Sequence, residues 1–150
     1  CGVFLNLNVM QISRRTCMSS NFVFLAMLFH VCWVVLLYVA LTVLRAPTAW
    51  GIDTKSGVIG RYSAYEPKVS ANLSNQFEWP LLFYACCILI LNMGVTDSYQ
   101  NILVGVFIFG RVIHSFVHIF TNNIRLRGAV FTVNFLAAFL MWVRLAFIFP

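Results

Sequence analysis

Residues 21–44, NFVFLAMLFHVCWVVLLYVALTVL, run for 24 positions without an Asp, Glu, Lys or Arg. A helix needs roughly 20 apolar residues to cross the hydrocarbon core of a bilayer, so this run is long enough to span. It is also longer than a secretory signal core, which is about 7–15 residues. The rest of the chain is similar in kind: of 150 residues, 61% are hydrophobic and only 9% charged, with 15 Phe. A soluble domain of this size has nowhere to hide that much apolar surface. The chain therefore reads as an integral membrane protein built as one unit. It should be all-α, because backbone facing lipid must satisfy its own hydrogen bonds.

Three further spans are expected. Residues 45–72 read as a polar connection, punctuated by Pro47, Gly51, Gly57, Gly60 and Pro67. The second helix is expected at about 73–94. Its apolar part, Leu81–Leu91, is too short to cross alone, so the helix must include Asn75 and Glu78. Pro80, near the first turn, is tolerated there because the N–H it lacks would have no partner anyway. Helices at about 99–121 and 129–149 follow short turns. The expected fold is a four-helix transmembrane bundle of antiparallel neighbours over residues 21–150, after an N-terminal extension, residues 1–20.

The net charge of +6 does not point to nucleic acid, because the ten Lys and Arg are dispersed between apolar runs. Arg45, Lys55, Arg61, Lys68, Arg125 and Arg127 fall on the 1–2 and 3–4 connections; Arg14, Arg15 and Arg144 fall on the opposite side. That excess makes the 1–2 and 3–4 loops cytoplasmic. Arg14 and Arg15 flank the first helix and argue the other way, a conflict that a start at Met18 would remove. SRRT at 13–16 is a poor match to a twin-arginine signal. The five Cys include no CxxC and read as small hydrophobes rather than a disulfide framework.

The polar residues inside the spans carry the chemistry. Arg111, His114, His118, Asn122 and Arg125 recur at spacings of 3, 4, 4 and 3, which places them on one face of the third helix. Such a stripe must face the bundle interior, a subunit interface or a wet pocket. Glu78 would cost roughly 2.5–3.5 kcal/mol in hydrocarbon and so asks for a partner. Arg111 is the expected one, either as an ion pair that only joins two helices or as the edge of a polar ligand site. His114 and His118 at i and i+4 would need a third ligand to hold a metal, and no metal site is assigned. His30 reads as a packing residue rather than a haem ligand. Cys86 and Cys87 point to different helix faces, which argues against thiol catalysis. Arg125 and Arg127 are either membrane-side anchors or an anion site at the start of the fourth helix.

NQFE at 75–78, followed by Pro80 and Phe83, and GRVIHSFVH at 110–118, with Arg127 downstream, together resemble the MAPEG family, the membrane-associated proteins in eicosanoid and glutathione metabolism. The pattern is most similar to small bacterial members. The resemblance implies a four-helix bundle assembled as a homotrimer. It implies glutathione as co-substrate, held by Asn75, Glu78, Arg111 and His114, with Arg127 as the catalytic residue that stabilises the thiolate; His118 and Arg125, on the same helix face, are further candidates for binding it. The activity it implies is a glutathione-dependent transferase or peroxidase acting on lipophilic small molecules that arrive from the membrane lipids. The chain departs from the family pattern at Ala71 and His118, where Arg and Tyr are usual. Gly128 and Phe131 also lack hydroxyls that some catalytic members offer. These departures leave a second reading: a non-catalytic lipid-binding or structural protein of the same fold, an accessory subunit of a larger membrane complex.

Overall fold

The computed structural model describes residues 2–51 and 62–148, with side chains from residue 20 onward. Cys1, Lys55 and Arg61, and the side chains of Arg14, Arg15 and Cys17, lie outside the described residues. Among the described residues five long helices are defined: α1 (Gly2–Ala49), α2 (Glu66–Asn75), α3 (Trp79–Met93), α4 (Ser98–Phe120) and α5 (Ile124–Ile148). They make four spans long and apolar enough to cross a membrane: Ser20–Ala49, Glu66–Met93, Ser98–Phe120 and Ile124–Ile148. The fold is thus an all-α, integral membrane four-helix bundle.

Three boundaries differ from the sequence expectation; one is that the fourth span begins at Ile124 and not near residue 129, which takes Arg125 and Arg127 into α5. The first span continues through Pro47 to Ala49. The second begins at Glu66 rather than near Leu73, and it is two helices rather than one. Pro80 sets the break. A proline has no N–H for the carbonyl four residues back, here that of Gln76, so that helical hydrogen bond cannot form. The end of α2 tightens instead, with Gln76 N–H donating to Leu73 O at 2.9 Å and Phe77 N–H to Ser74 O at 3.0 Å. The turn at 76–78 re-aims every side chain on it.

Gly94 closes α3 in the left-handed region, φ 65°. The Val95 N–H then reaches Ile90 O at 3.2 Å and the Gly94 N–H reaches Leu91 O at 3.3 Å, which satisfies two carbonyls at the helix end. Asp97 caps α4 by accepting the Gln100 N–H at 2.7 Å and also pairs with Arg144 of α5 at 2.8 Å. Asn123 caps α5, accepting the Leu126 N–H at 3.1 Å.

α4 is the most buried span and packs closely on α5. Gly110 permits the approach, because Asn134 of α5 sits where a Gly110 side chain would begin. Phe83 stacks on Phe107 with ring centroids 4.2 Å apart, amid Val23, Ile90, Val104 and Met141. A second cluster, Leu37, Leu41, Val69, Leu73 and Ile119, seals α1 and α2 against α4. Outward-facing Phe24, Leu25, Val43, Leu81 and Phe109 present the apolar surface that lipid requires.

Candidate functional site

The inward turn of Gln76 makes it the centre of a buried polar network. Its Oε1 accepts from Arg111 Nε at 3.2 Å and Nη2 at 3.0 Å. The same oxygen lies 3.1 Å from His30 Nε2. An amide oxygen carries no proton, so His30 must be protonated on Nε2, which leaves Nδ1 to accept from the Tyr84 hydroxyl at 2.8 Å. The Gln76 amide nitrogen donates to Ser115 Oγ at 3.1 Å. Trp33 Nε1 donates to that hydroxyl at 3.2 Å, and the hydroxyl donates back to Arg111 O at 3.0 Å. Three of the four spans are joined through one amide. Arg111 is fully buried, its Nη2 also donates to the Asn75 carbonyl, and its Nη1 has no partner among the described residues.

The network replaces the expected Glu78–Arg111 ion pair. The two ion pairs among the described residues are Arg45–Glu66 and Arg144–Asp97, and neither involves Glu78 or Arg111. Glu78 is exposed, and half-buried Asn75 offers Arg111 its carbonyl rather than its side chain. The cause is the break in the second span. In an unbroken helix Asn75 and Glu78 would share a face, three residues apart; the turn at 76–78 puts Gln76 inside and Glu78 outside.

A separate polar pocket of about 420 Å³ opens where α2 meets the α4–α5 turn. Lys68, His118, Asn122, Asn123, Thr121 and Arg127 supply its polar lining, and no carboxylate lines it. Lys68 Nζ donates to Asn122 Oδ1 at 2.9 Å, which ties α2 to the turn. His118 stacks on His114 with centroids 5.7 Å apart, and the Nδ1 atoms of both rings are buried without a partner among the described residues. Arg127 is half-buried at the pocket wall; Arg125 is exposed and does not line it. Phe131 packs on His114 at 6.1 Å.

The structure therefore separates the predicted residues into four groups. Arg127 and His118 share the pocket. Arg111 and the Asn75 carbonyl belong to the interior network. His114 lies on the α4 face between them, while Glu78 and Arg125 face outward. Among the described residues no three His, Cys, Asp or Glu side chains gather as a metal site. Both ring nitrogens of His30 are engaged, which leaves none for a haem iron. Cys86 and Cys87 are buried free thiols.

Sequence reasoning missed Gln76, Tyr84, Trp33 and Lys68. One signal for Gln76 was available: it stands four residues before Pro80, where the helical ladder must open.

Fold and site together define a polytopic membrane protein with a donor-rich pocket at one end of its bundle. The MAPEG family profile matches residues 23–147, nearly the whole chain. The chain belongs to the MAPEG family. No curated protein and no solved structure matches it.

Proposed function

We propose that this protein is a membrane-bound glutathione transferase or peroxidase acting on lipophilic electrophiles. The observation that carries the proposal is the pocket that gathers Arg127, Lys68 and His118 with the Asn122 and Asn123 amides and no acid. Such a lining suits a tripeptide with two carboxylates and a thiol that must ionise. Arg127 is the residue that would hold the thiolate, since a fixed positive charge beside sulfur favours the ionised form. Asn75, Glu78 and His114 are the further candidates for binding the tripeptide, whereas Arg111 belongs to the interior network and Arg125 lies outside the pocket.

Exposed Glu78 sits between Phe77 and Trp79 at the break in the second span. A carboxylate facing hydrocarbon is costly, and a neighbouring copy would cover it. A homotrimer in which Glu78 reaches the adjoining subunit's pocket fits this placement. It would also supply the acid that the pocket lacks for the glutathione ammonium group.

An apolar groove of about 620 Å³ between α1, α2 and α4, walled by Trp33, Leu37, Tyr65, Val69, Phe116 and Phe120, favours the second reading, a lipid-binding protein. Calorimetric titration of glutathione into the purified protein in nanodiscs separates the two. Saturable binding, with thiolate absorbance from the bound peptide, supports the enzyme. No binding to a folded trimer returns the lead to the lipid binder.

A further inference from the structure

We propose that the protein binds one phospholipid with a primary ammonium headgroup, of the phosphatidylethanolamine type, with an acyl chain in the apolar groove and the headgroup between Arg45 and Glu66. The site lies apart from the glutathione pocket. Tyr65 and Val69 of α2 wall the groove, whereas Pro67, Lys68 and Ala71 of the same helix line the polar pocket. The proposal therefore does not rest on the glutathione reading, and a lipid held there does not exclude it.

Two cavities meet at Leu44, which lines both. The first is the groove of about 620 Å³, which follows α1 from Trp33 to Leu44. These residues are eleven positions apart, about 16 Å of helix at 1.5 Å per residue. Half of a hydrocarbon core of roughly 30 Å is one leaflet, so the groove has the depth of a single acyl chain's leaflet. The buried polar side chain in its wall, Ser115, is already engaged: its hydroxyl accepts from Trp33 and Gln76 and donates to Arg111 O. Tyr62 and Tyr65 stand at the end near the start of α2, where a membrane surface favours such rings. The second cavity, of about 450 Å³, is lined by Arg45, Thr48, Ala49, Ser63 and Glu66 at the ends of the spans, the level of lipid headgroups. Arg45 and Glu66 pair at 2.7 Å, but their side chains are 56% and 29% exposed. A pair this exposed is weak and opens readily. A headgroup phosphate can take the guanidinium while its ammonium takes the carboxylate, so both charges keep a partner. A purely anionic headgroup would meet the Glu66 carboxylate. A choline headgroup has no N–H to donate to it.

Tryptophan quenching tests the site, because Trp33 lines the groove. Protein with Trp50, Trp79 and Trp142 replaced by Phe is reconstituted into vesicles in which lipids brominated on their acyl chains compete with unbrominated ones. The headgroups compared are phosphatidylethanolamine, phosphatidylcholine and phosphatidylglycerol. At Trp33, phosphatidylethanolamine should be favoured over each of the others by about fivefold, the size of one partly exposed charge-assisted hydrogen bond. Glu66→Ala should remove the preference. Ala40→Phe, which fills part of the groove, should relieve the quenching. Native mass spectrometry makes the check on protein with all its tryptophans. From a detergent solution holding the three lipids in equal amounts, the wild type should retain one phosphatidylethanolamine per chain, and Arg45→Ala should lose it.

Equal quenching by the three headgroups overturns the proposal. So does a preference for phosphatidylglycerol, which would make the site simply cation-lined, or a preference that survives Glu66→Ala. A folded protein whose Trp33 no lipid quenches would have its groove covered by a second copy of the chain, and that too overturns it. Should the Trp replacements prevent folding, retention by the wild type decides alone: phosphatidylcholine, phosphatidylglycerol or no lipid in place of phosphatidylethanolamine sinks the assignment. Glutathione binding is untouched by any of these results, so the two readings fail separately.

Discussion

At the scale of single residues, two arginines separated by one position have different surroundings. Arg127 is half-buried at the pocket wall, whereas Arg125 points away from it. Arg127→Ala should lower turnover by about 10²-fold, the rate equivalent of losing ~3 kcal/mol of charge stabilisation. Arg125→Ala should stay near wild type, and steady-state kinetics on the pair decide it. Equal, small effects would make both residues membrane-side anchors. Gln76 poses a stability question instead. It accepts from two Arg111 nitrogens and from His30, so Gln76→Leu strands a buried guanidinium. The expected cost is ~3–5 kcal/mol, read from unfolding in detergent. Gln76→Glu should lie between wild type and Leu, because it supplies a counter-charge but loses the donor to Ser115. The stripe Arg111, His114, His118 is legible in sequence, since its spacing alone puts the residues on one face. Gln76 is not, because its direction depends on how far the chain turns before Pro80.

At the scale of helices, the sequence shows four spans because apolar length is a local property. The break between α2 and α3 is half-legible: Pro80 announces a disturbance, but polar Glu66–Asn72 reads as a loop until packing of Val69 and Leu73 against α1 and α4 makes it helix. The short turn between them makes α4 and α5 antiparallel neighbours already in the sequence, but the close approach of Gly110 to Asn134 is not legible. A Cβ on Gly110 would lie 1.8 Å from Asn134 Oδ1 and 2.9 Å from its Cγ. Gly110→Ala should therefore destabilise by ~1–3 kcal/mol through overpacking. Pairing it with Asn134→Ala, which empties the contested space, should recover most of that loss, and a double-mutant cycle on thermal unfolding measures the coupling. At the other end of α4, partial burial alone would raise the Asp97 carboxyl. The Gln100 N–H and the Arg144 guanidinium outweigh it and hold Asp97 below its ordinary value. A carboxyl depressed on folding contributes stability above its unfolded pKa of about 3.9, and that contribution is lost as pH falls through the folded value. Acid titration should thus cost the wild type more stability below about pH 4 than it costs Asp97→Asn. Parallel melting curves for the two proteins would remove Asp97 from the account.

At the scale of the whole molecule, the contacts sort the charges by end. Arg45 bonds Glu66 at 2.7 Å and Lys68 bonds Asn122 at 2.9 Å, so the end of α1, the start of α2 and the α4–α5 turn lie together. Arg125 and Arg127 belong to that end. Asp97 and Arg144 hold the other, joined at 2.8 Å. Four basic side chains against one, among the described residues, set the expected orientation, because Lys and Arg near span ends are retained on the cytoplasmic side. It is their number that matters rather than net charge, so the Glu66 and Asp97 partners do not cancel the bias. The expected orientation puts the donor-rich pocket where a water-soluble thiol peptide is supplied by the cytoplasm, while lipophilic substrates come from the bilayer around it. Arg125→Cys gives an exposed probe at the pocket end and Ser98→Cys one at the other, in a background whose native cysteines have been replaced by Ala. In sealed right-side-out vesicles, a membrane-impermeant maleimide should label position 98 and spare position 125 until the membrane is opened. The reverse pattern would place the pocket outside the cell, away from the cytoplasmic glutathione supply, and would count against the transferase as well as against the topology.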